Sequence, residues 1–356
     1  MKKVIVGTSG GVDSAVTAYL LKAMGYEVIG VTLRTWLTAD GRESRCCEID
    51  DAQEVARQLE MPYYAVNCLS DFRREIVTPF VDGYLQGVTP NPCVVCNRRI
   101  KWEGLLHAAQ VMGADYVATG HYASVVRLPN GRYTVQKARS ARKDQTYMLW
   151  QLTQEQLSRT LMPLGQLTKD EVRSIADRVG LAVAQKPDSQ EICFVTDGSY
   201  ADFIEASAEE YVPQPGCFVD EEGHILGTHK GIIHYTVGQR KGLGIALGVP
   251  AYVKEINAAA NEVVLSSEEA LYRTELDCHD LRFLSIPDPA PGERVRAKIK
   301  IRYHDGGTVG TVERTGDDTA HVVFEMPVRA PAPGQSAVFY DEADRVIGGG
   351  VIAVSS

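Results

Sequence analysis

The sequence predicts a parallel, doubly wound α/β domain, followed by a small, mostly β central module and a C-terminal β-barrel. Three observations carry this. Strand-like and helix-like segments alternate over the first 200 residues, short strands with frequent Gly and Pro begin near residue 209, and turn-separated short strands run from about residue 275. The domains are accordingly 1–205, 206–274 and 275–356. At about 150 residues per domain, a chain of 356 residues has room for two or three cores.

The elements follow in order. Lys3 to Val6 is a β-branched run, and Asp13 to Met24 has the pattern of an amphipathic helix. Val28 to Leu33 is a second strand, and Asp50 to Leu59 a second helix with Ala52, Val55, Ala56 and Leu59 on one face. Tyr63 to Val66 and Tyr116 to Thr119 repeat the strand signal with helices between them, the rhythm of a doubly wound sheet. Turns are expected at Asp220 to Gly223 and Gly238 to Gly248 in the central module. In the last module they are expected at Pro287 to Gly292, Asp305 to Gly307 and Pro331 to Gly334.

Hydrophobic residues at 44% and charged residues at 23% exclude a disordered tail, a collagen-like chain and a disulfide miniprotein. No stretch approaches about 18 consecutive apolar residues, so neither a spanning helix nor a membrane partner is expected. The apolar run before Gly7 is too short for a signal peptide, and a cytoplasmic location is the expectation. Eight cysteines in such a chain read as reduced thiols with metal, redox or catalytic roles.

The net charge of −9 is unevenly spread: residues 1–200 carry +1 and residues 201–356 carry −10. Arg127, Arg132, Lys137, Arg139, Arg142 and Lys143 form a stretch without an acidic residue, either a solvated hairpin or a phosphate-contacting patch. Arg294, Arg296, Lys298, Lys300 and Arg302 alternate with apolar residues, so period-2 geometry puts five cations on one strand face. That face either meets a nucleic-acid backbone or is balanced by neighbouring strands.

Ser9-Gly10-Gly11-Val12-Asp13-Ser14 joins the first strand to the first helix. Two glycines permit a tight turn, and the free N–H groups of a helix start suit an oxyanion such as pyrophosphate. No Gly-Lys-Ser/Thr follows, so this is not a Walker loop. The motif resembles that of the PP-loop ATP pyrophosphatases, the adenine nucleotide alpha hydrolase-like group, which cleave ATP between the α and β phosphates to adenylate a substrate oxygen. The resemblance implies that Gly7, Thr8, Ser9, Gly10, Gly11, Val12, Asp13 and Ser14 hold ATP. It further implies that Asp13 positions Mg²⁺, Leu33 lines the adenine pocket and Gly120 approaches the nucleotide.

Asn91-Pro92-Cys93-Val94-Val95-Cys96-Asn97 reads as a helix start, with Asn91 as cap and Pro92 in the first position. Three-residue spacing puts Cys93 and Cys96 on one face, and Arg98, Arg99 and Lys101 add positive charge that favours a reactive thiolate. A lone Cys-x-x-Cys also fits half a zinc site, a redox pair or two buried small residues. Cys193 lies in the polar segment Pro187-Asp188-Ser189-Gln190-Glu191-Ile192-Cys193-Phe194.

With these segments the chain resembles the bacterial tRNA-specific 2-thiouridylases nearly end to end. Further matches are Thr119 to Tyr122, Lys143 to Gln145, Val237 to Gly244, Arg302-Tyr303 and Pro333 to Gln335. The resemblance implies 2-thiolation of the tRNA wobble uridine by adenylation of O2, with sulfur supplied as a persulfide by a cysteine desulfurase or relay protein. Cys193 matches the persulfide carrier, and Cys96 the nucleophile that assists sulfur release and can end in a disulfide with Cys193. Asn91, Pro92 and Cys93 match the segment facing the target base, and His121, Lys143, Asp144, Gln145, Arg302, Tyr303 and Gln335 match tRNA contacts. Many members carry Asp where this chain has Cys93. Cys93, Cys96 and Cys193 therefore offer ligands for a [4Fe–4S] cluster, the alternative being that Cys93 is a spectator or second resolving thiol. The rival functions are a PP-loop amide-forming synthetase and a noncatalytic RNA-binding module. Cys46 and Cys47 read as packing.

Overall fold

The computed structural model describes residues 1–38, 41, 47–187, 192–196, 198–208 and 214–354. Cys46 and the 188–191 part of the Cys193 segment therefore lie outside the described residues. The first domain is built on a five-stranded parallel sheet in the order Tyr63–Asn67, Glu27–Arg34, Lys3–Gly7, Tyr116–Ala118, Thr160–Leu161. Val4, Ile5, Val6, Val31 and Val117 are fully buried, as expected of strands covered by helices on both faces. The helices Val12–Ala23 and Ile49–Gln58 lie within two residues of their expected limits. Strand order reverses beside Lys3–Gly7, so the crevice where open α/β sheets bind ligands opens between the ends of that strand and Tyr116–Ala118.

Ala123–Arg127 and Tyr133–Lys137 form the expected hairpin. Most of its cations are tied to protein groups. Arg132 donates to the Leu284 and Phe283 carbonyls at 2.8 and 2.9 Å, Lys137 pairs with Asp344, and Arg139 reaches Glu171 at 3.2 Å. The stretch thus fastens the hairpin to its surroundings, and the open-patch reading does not extend to these three residues.

The central module is a four-stranded sheet, Tyr252–Asn257, Glu262–Ser266, Gly216–Val219 and Ile225–His229, in that order. The C-terminal module is a closed six-stranded barrel whose first strand, Tyr272–Phe283, begins before the expected residue 275. Closure removes the open edges. The row of cations on strand Arg294–Lys300 is balanced by neighbouring strands: Arg294 pairs with Glu313 at 2.7 Å and Arg296 with Glu325 at 2.8 Å. Lys300 is buried and donates to the Tyr303 carbonyl, and Arg302, beyond the strand end, donates to the Ala330 carbonyl at 2.9 Å. Among the described residues, no helix is long and apolar enough to cross a membrane.

The barrel shares a core with the first domain. Val338, Tyr340 and Val346 pack in one cluster with Tyr147, Leu149 and Trp150. The Trp150 indole donates to Ser336 Oγ at 3.0 Å, and the Tyr147 hydroxyl donates to the Ser336 carbonyl at 2.8 Å. The indole can come this close because Gly349 faces it: a Cβ there would stand 2.8 Å from Trp150 Cδ2 and 2.9 Å from the Ala337 carbonyl. Gly349→Val is expected to destabilise the protein by roughly 1–3 kcal/mol through overpacking, measured by denaturant unfolding followed by tryptophan fluorescence.

Candidate nucleotide and thiol site

The loop between strand Lys3–Gly7 and helix Val12–Ala23 lies at the sheet's crevice. Gly10 adopts φ 75°, a left-handed conformation that glycine takes without strain, and a Cβ there would meet the Glu48 carbonyl at 2.7 Å. Ser14 Oγ accepts from the Ser9 amide at 3.2 Å and donates to the Gly11 carbonyl at 3.0 Å, which curls the loop around its own first turn. No side chain caps the helix at Gly11, which leaves its N-terminal N–H groups to an anion. Gly120 closes the other side: a Cβ there would lie 2.8 Å from the Asp13 carbonyl carbon and 2.9 Å from the Ser14 nitrogen.

Two lysines that carried no assigned role in the sequence reading fix this loop. Lys169 Nζ bonds both carboxylate oxygens of Asp13 at 2.7 and 2.9 Å, and the Tyr122 hydroxyl donates to Asp13 Oδ1 at 2.8 Å. Lys186 pairs with Glu48 and Asp51 and reaches the Gly10 carbonyl at 3.3 Å. Lys169 opens a helix announced by the capping box Thr168 to Glu171, but that signal marks only the helix start. A partner 156 positions away has no local signature.

The cysteine helix starts at Pro92 after Asn91, as expected, although Asn91 makes no side-chain cap bond. The helix runs as Pro92–Val95, then a π-helical stretch Cys96–Trp102, then Glu103–Val111. The two cysteines occupy different environments: Cys93 is exposed and Cys96 is 7% exposed. Cys96 joins an apolar cluster with Phe72, Phe80 and Phe194, and Cys193 packs against that same cluster. Leu33 packs there too, which joins the expected adenine wall to the surroundings of both thiols. Cys93, Cys96 and Cys193 are all free thiols, and they do not converge as ligands of a single metal ion.

The residues matched to tRNA contacts differ in setting. His121 stacks on Trp102 with ring centroids 5.5 Å apart, and its Nδ1 lies 2.8 Å from Thr119 Oγ1. Burial, reinforced by the Lys101 cation, pushes its pKa down to about 3, so the ring is neutral at pH 7. Lys143 is partly exposed, whereas Asp144 is buried and turned inward, accepting from Thr146 Oγ1 at 2.8 Å and from the Ala138 amide at 3.2 Å. Asp144 therefore organises the turn that presents its neighbours. Gln145 Oε1 accepts from the Tyr122 amide at 2.9 Å. Tyr303 packs edge-on to Tyr147, and Gln335 Nε2 donates to the Thr89 carbonyl at 3.0 Å, just ahead of the cysteine helix.

A parallel sheet with a phosphate-accepting glycine turn at its reversal point, and two cysteines gathered beside it, defines a PP-loop nucleotide-using protein of ATP-utilising type. Three family profiles match in succession: tRNA methyl transferase HUP domain over residues 2–197, tRNA methyl transferase PRC-barrel domain over 201–267, and aminomethyltransferase beta-barrel domain over 273–352. The tRNA-specific 2-thiouridylase MnmA of Lachnoclostridium phytofermentans is 52% identical over 362 residues, covering 99% of each chain. The proteins of the same name from Acetivibrio thermocellus and Clostridioides difficile are 50% and 47% identical, again covering 99% of each chain. The chain belongs to the tRNA-specific 2-thiouridylase family.

Gly120→Ala is expected to weaken ATP binding at least tenfold by forcing the Asp13–Ser14 backbone away, with little change in far-UV circular dichroism; titration calorimetry measures the affinity. Because the folded pKa of His121 lies below its unfolded value near 6.5, the folded state binds fewer protons there. Its contribution to stability is complete above about pH 6.5 and is lost as pH falls toward 3. The ring resonances of His121 are expected to stay in the neutral position from pH 8 to pH 5 in an NMR titration.

Proposed function

We propose that this protein carries out ATP-dependent 2-thiolation of the wobble uridine of tRNA. The observation that carries the reading is the gathering of Cys96, Cys193 and Leu33 around one apolar cluster at the nucleotide-binding edge of the sheet. A pyrimidine carbonyl oxygen does not leave unaided, so it has to be activated, and a tethered sulfur nucleophile then supplies specificity. The loop amides at Gly10 and Gly11 cradle the pyrophosphate, and Gly120 permits close approach of the nucleotide. Uridine O2 attacks the α-phosphorus, pyrophosphate departs, and O2 becomes part of an AMP leaving group.

A persulfide on Cys193, loaded by a cysteine desulfurase or relay protein, attacks C2 through its terminal sulfur. The Cys96 thiolate then attacks Cys193 Sγ, which frees the transferred sulfur, and AMP leaves; a Cys96–Cys193 disulfide remains for later reduction. Asp13, a hard oxygen donor beside the loop, fits Mg²⁺, and the ion would neutralise charge on the pyrophosphate. Asn91, Pro92 and Cys93 face the target base in this reading, and His121, Lys143, Gln145, Arg302, Tyr303 and Gln335 hold the tRNA around it.

A second reading is favoured by the exposed Cys93 thiol one turn from Cys96: a [4Fe–4S] cluster held by Cys93, Cys96 and Cys193. Such a cluster would supply an iron able to bind sulfide.

Cys96→Ala and Cys193→Ala are each expected to abolish 2-thiouridine formation while ATP still binds, read by mass spectrometry of tRNA nucleosides and by calorimetry. Full turnover in Cys193→Ser would point to an amide-forming synthetase, and tRNA binding without AMP release to a noncatalytic module. Iron and acid-labile sulfide in anaerobically purified protein would select the cluster, and absence of both would exclude it.

A further inference from the structure

A cleft of ≈ 390 Å³ opens between the first domain and the barrel, lined by Arg132, Thr153 and Gln154 on one side and by Leu281, Arg282 and Pro287 on the other. That volume is nucleotide-sized. Arg282 reaches it from an irregular part of strand Tyr272–Phe283. Pairing with Val346–Ile352 slips between His279 and Arg282, and Asp280 takes φ 52°, an uncommon conformation for a residue other than glycine. Such irregularities redirect side chains, and here the redirected one is a guanidinium.

Arg98 adds a second charge. Its backbone carbonyl accepts from Gln156 Nε2 at 3.2 Å, so the turn carrying Thr153 and Gln154 into the cleft also touches the cysteine helix. The field of Arg282, together with burial and Arg99, lowers the Arg98 pKa, which reports two like charges held near one another. Their acidic neighbours are largely committed elsewhere: Glu103 to Arg99 at 3.4 Å and Asp280 to His279 at 3.0 Å, while Asp288 lies on the exposed rim. No salt bridge joins Arg98 or Arg282 to a carboxylate among the described residues. Clustered guanidiniums without counter-charges mark an anion site.

We propose that this cleft binds a backbone phosphate of the tRNA, with Arg98 and Arg282 on its oxygens and the adjoining ribose against Leu152, Leu281 and Pro287. The inference rests on the reading that the chain acts on tRNA. It adds a contact two residues from Cys96, on the line where helix and barrel meet.

The test uses the full-length protein and unmodified tRNA. In Arg98→Gln/Arg282→Gln, binding is expected to weaken about tenfold, and the slope of log K against log salt to shrink by about 0.7–0.9 for one lost phosphate contact. ATP affinity and melting temperature stay unchanged. Arg98→Lys/Arg282→Lys restores the salt slope with only part of the affinity, because a point charge replaces a planar fork. Arg57→Gln, which removes a charge already paired with Glu54, leaves both quantities as in the wild type. Unchanged affinity and slope in the double Gln variant, with wild-type binding intact, would overturn the cleft assignment alone. Intact tRNA binding combined with lost sulfur uptake from a persulfide donor would reassign the cleft to a protein carboxylate. Absence of tRNA binding in the wild type would overturn the proposed function, and this contact with it.

Discussion

The anchoring of Trp102 fixes where the thiols stand. Its indole is fully buried and donates to Thr160 Oγ1 at 2.7 Å; that hydroxyl in turn donates to the Gln156 carbonyl at 2.6 Å, and Gln156 reaches back to the Arg98 carbonyl. This chain of bonds ties the cysteine helix to the last strand of the parallel sheet. Asn97 Nδ2 adds a bond to the Met148 carbonyl at 2.9 Å. The π-helical turn between Cys96 and Trp102 is thus held from several sides, and π-type turns are costly enough to survive only where packing enforces them. Held this way, Cys96 stays in the phenylalanine cluster that also receives Cys193.

The nucleotide end follows a different logic. There the backbone does the shaping, and the side chains mainly hold the backbone in place. Gly10 and Gly120 let three chain segments approach more closely than any side chain would permit. Lys169 and Lys186 then neutralise the carboxylates gathered around a site that must still receive a polyanion. The barrel participates through the same economy of volume: Gly349 admits Trp150, while Gln335 and Pro333 bond the Thr89 backbone just ahead of the cysteine helix. An RNA seated on the barrel would therefore lie against the base of the helix that carries the chemistry.

Charge shows most clearly where reading a sequence stops. Five alternating cations in one strand look like a nucleic-acid track, yet Glu313 and Glu325 on neighbouring strands answer two of them. Lys300 and Arg302 serve the backbone of their own barrel. Arg282 and Arg98 lack any local pattern, being brought together from a barrel strand and a helix 184 positions apart. Local period determines the face on which a charge lies, and only long-range pairing determines whether that charge is already met.

The strands, the helices and the glycine turn were legible because their causes are local. β-branched runs, 3.6-residue periodicity and the conformational freedom of Gly10 act over a few residues. The order Asn91-Pro92 likewise set the start of the cysteine helix by itself. Tertiary structure alone decided that Cys93 faces solvent while Cys96 is buried, that Asp144 turns inward, that Asp13 is held by Lys169, and that the barrel shares a core with the first domain. Each of these depends on which surfaces meet after the chain has closed on itself. Burial and ion pairing are properties of that meeting, and no short stretch of sequence contains both partners.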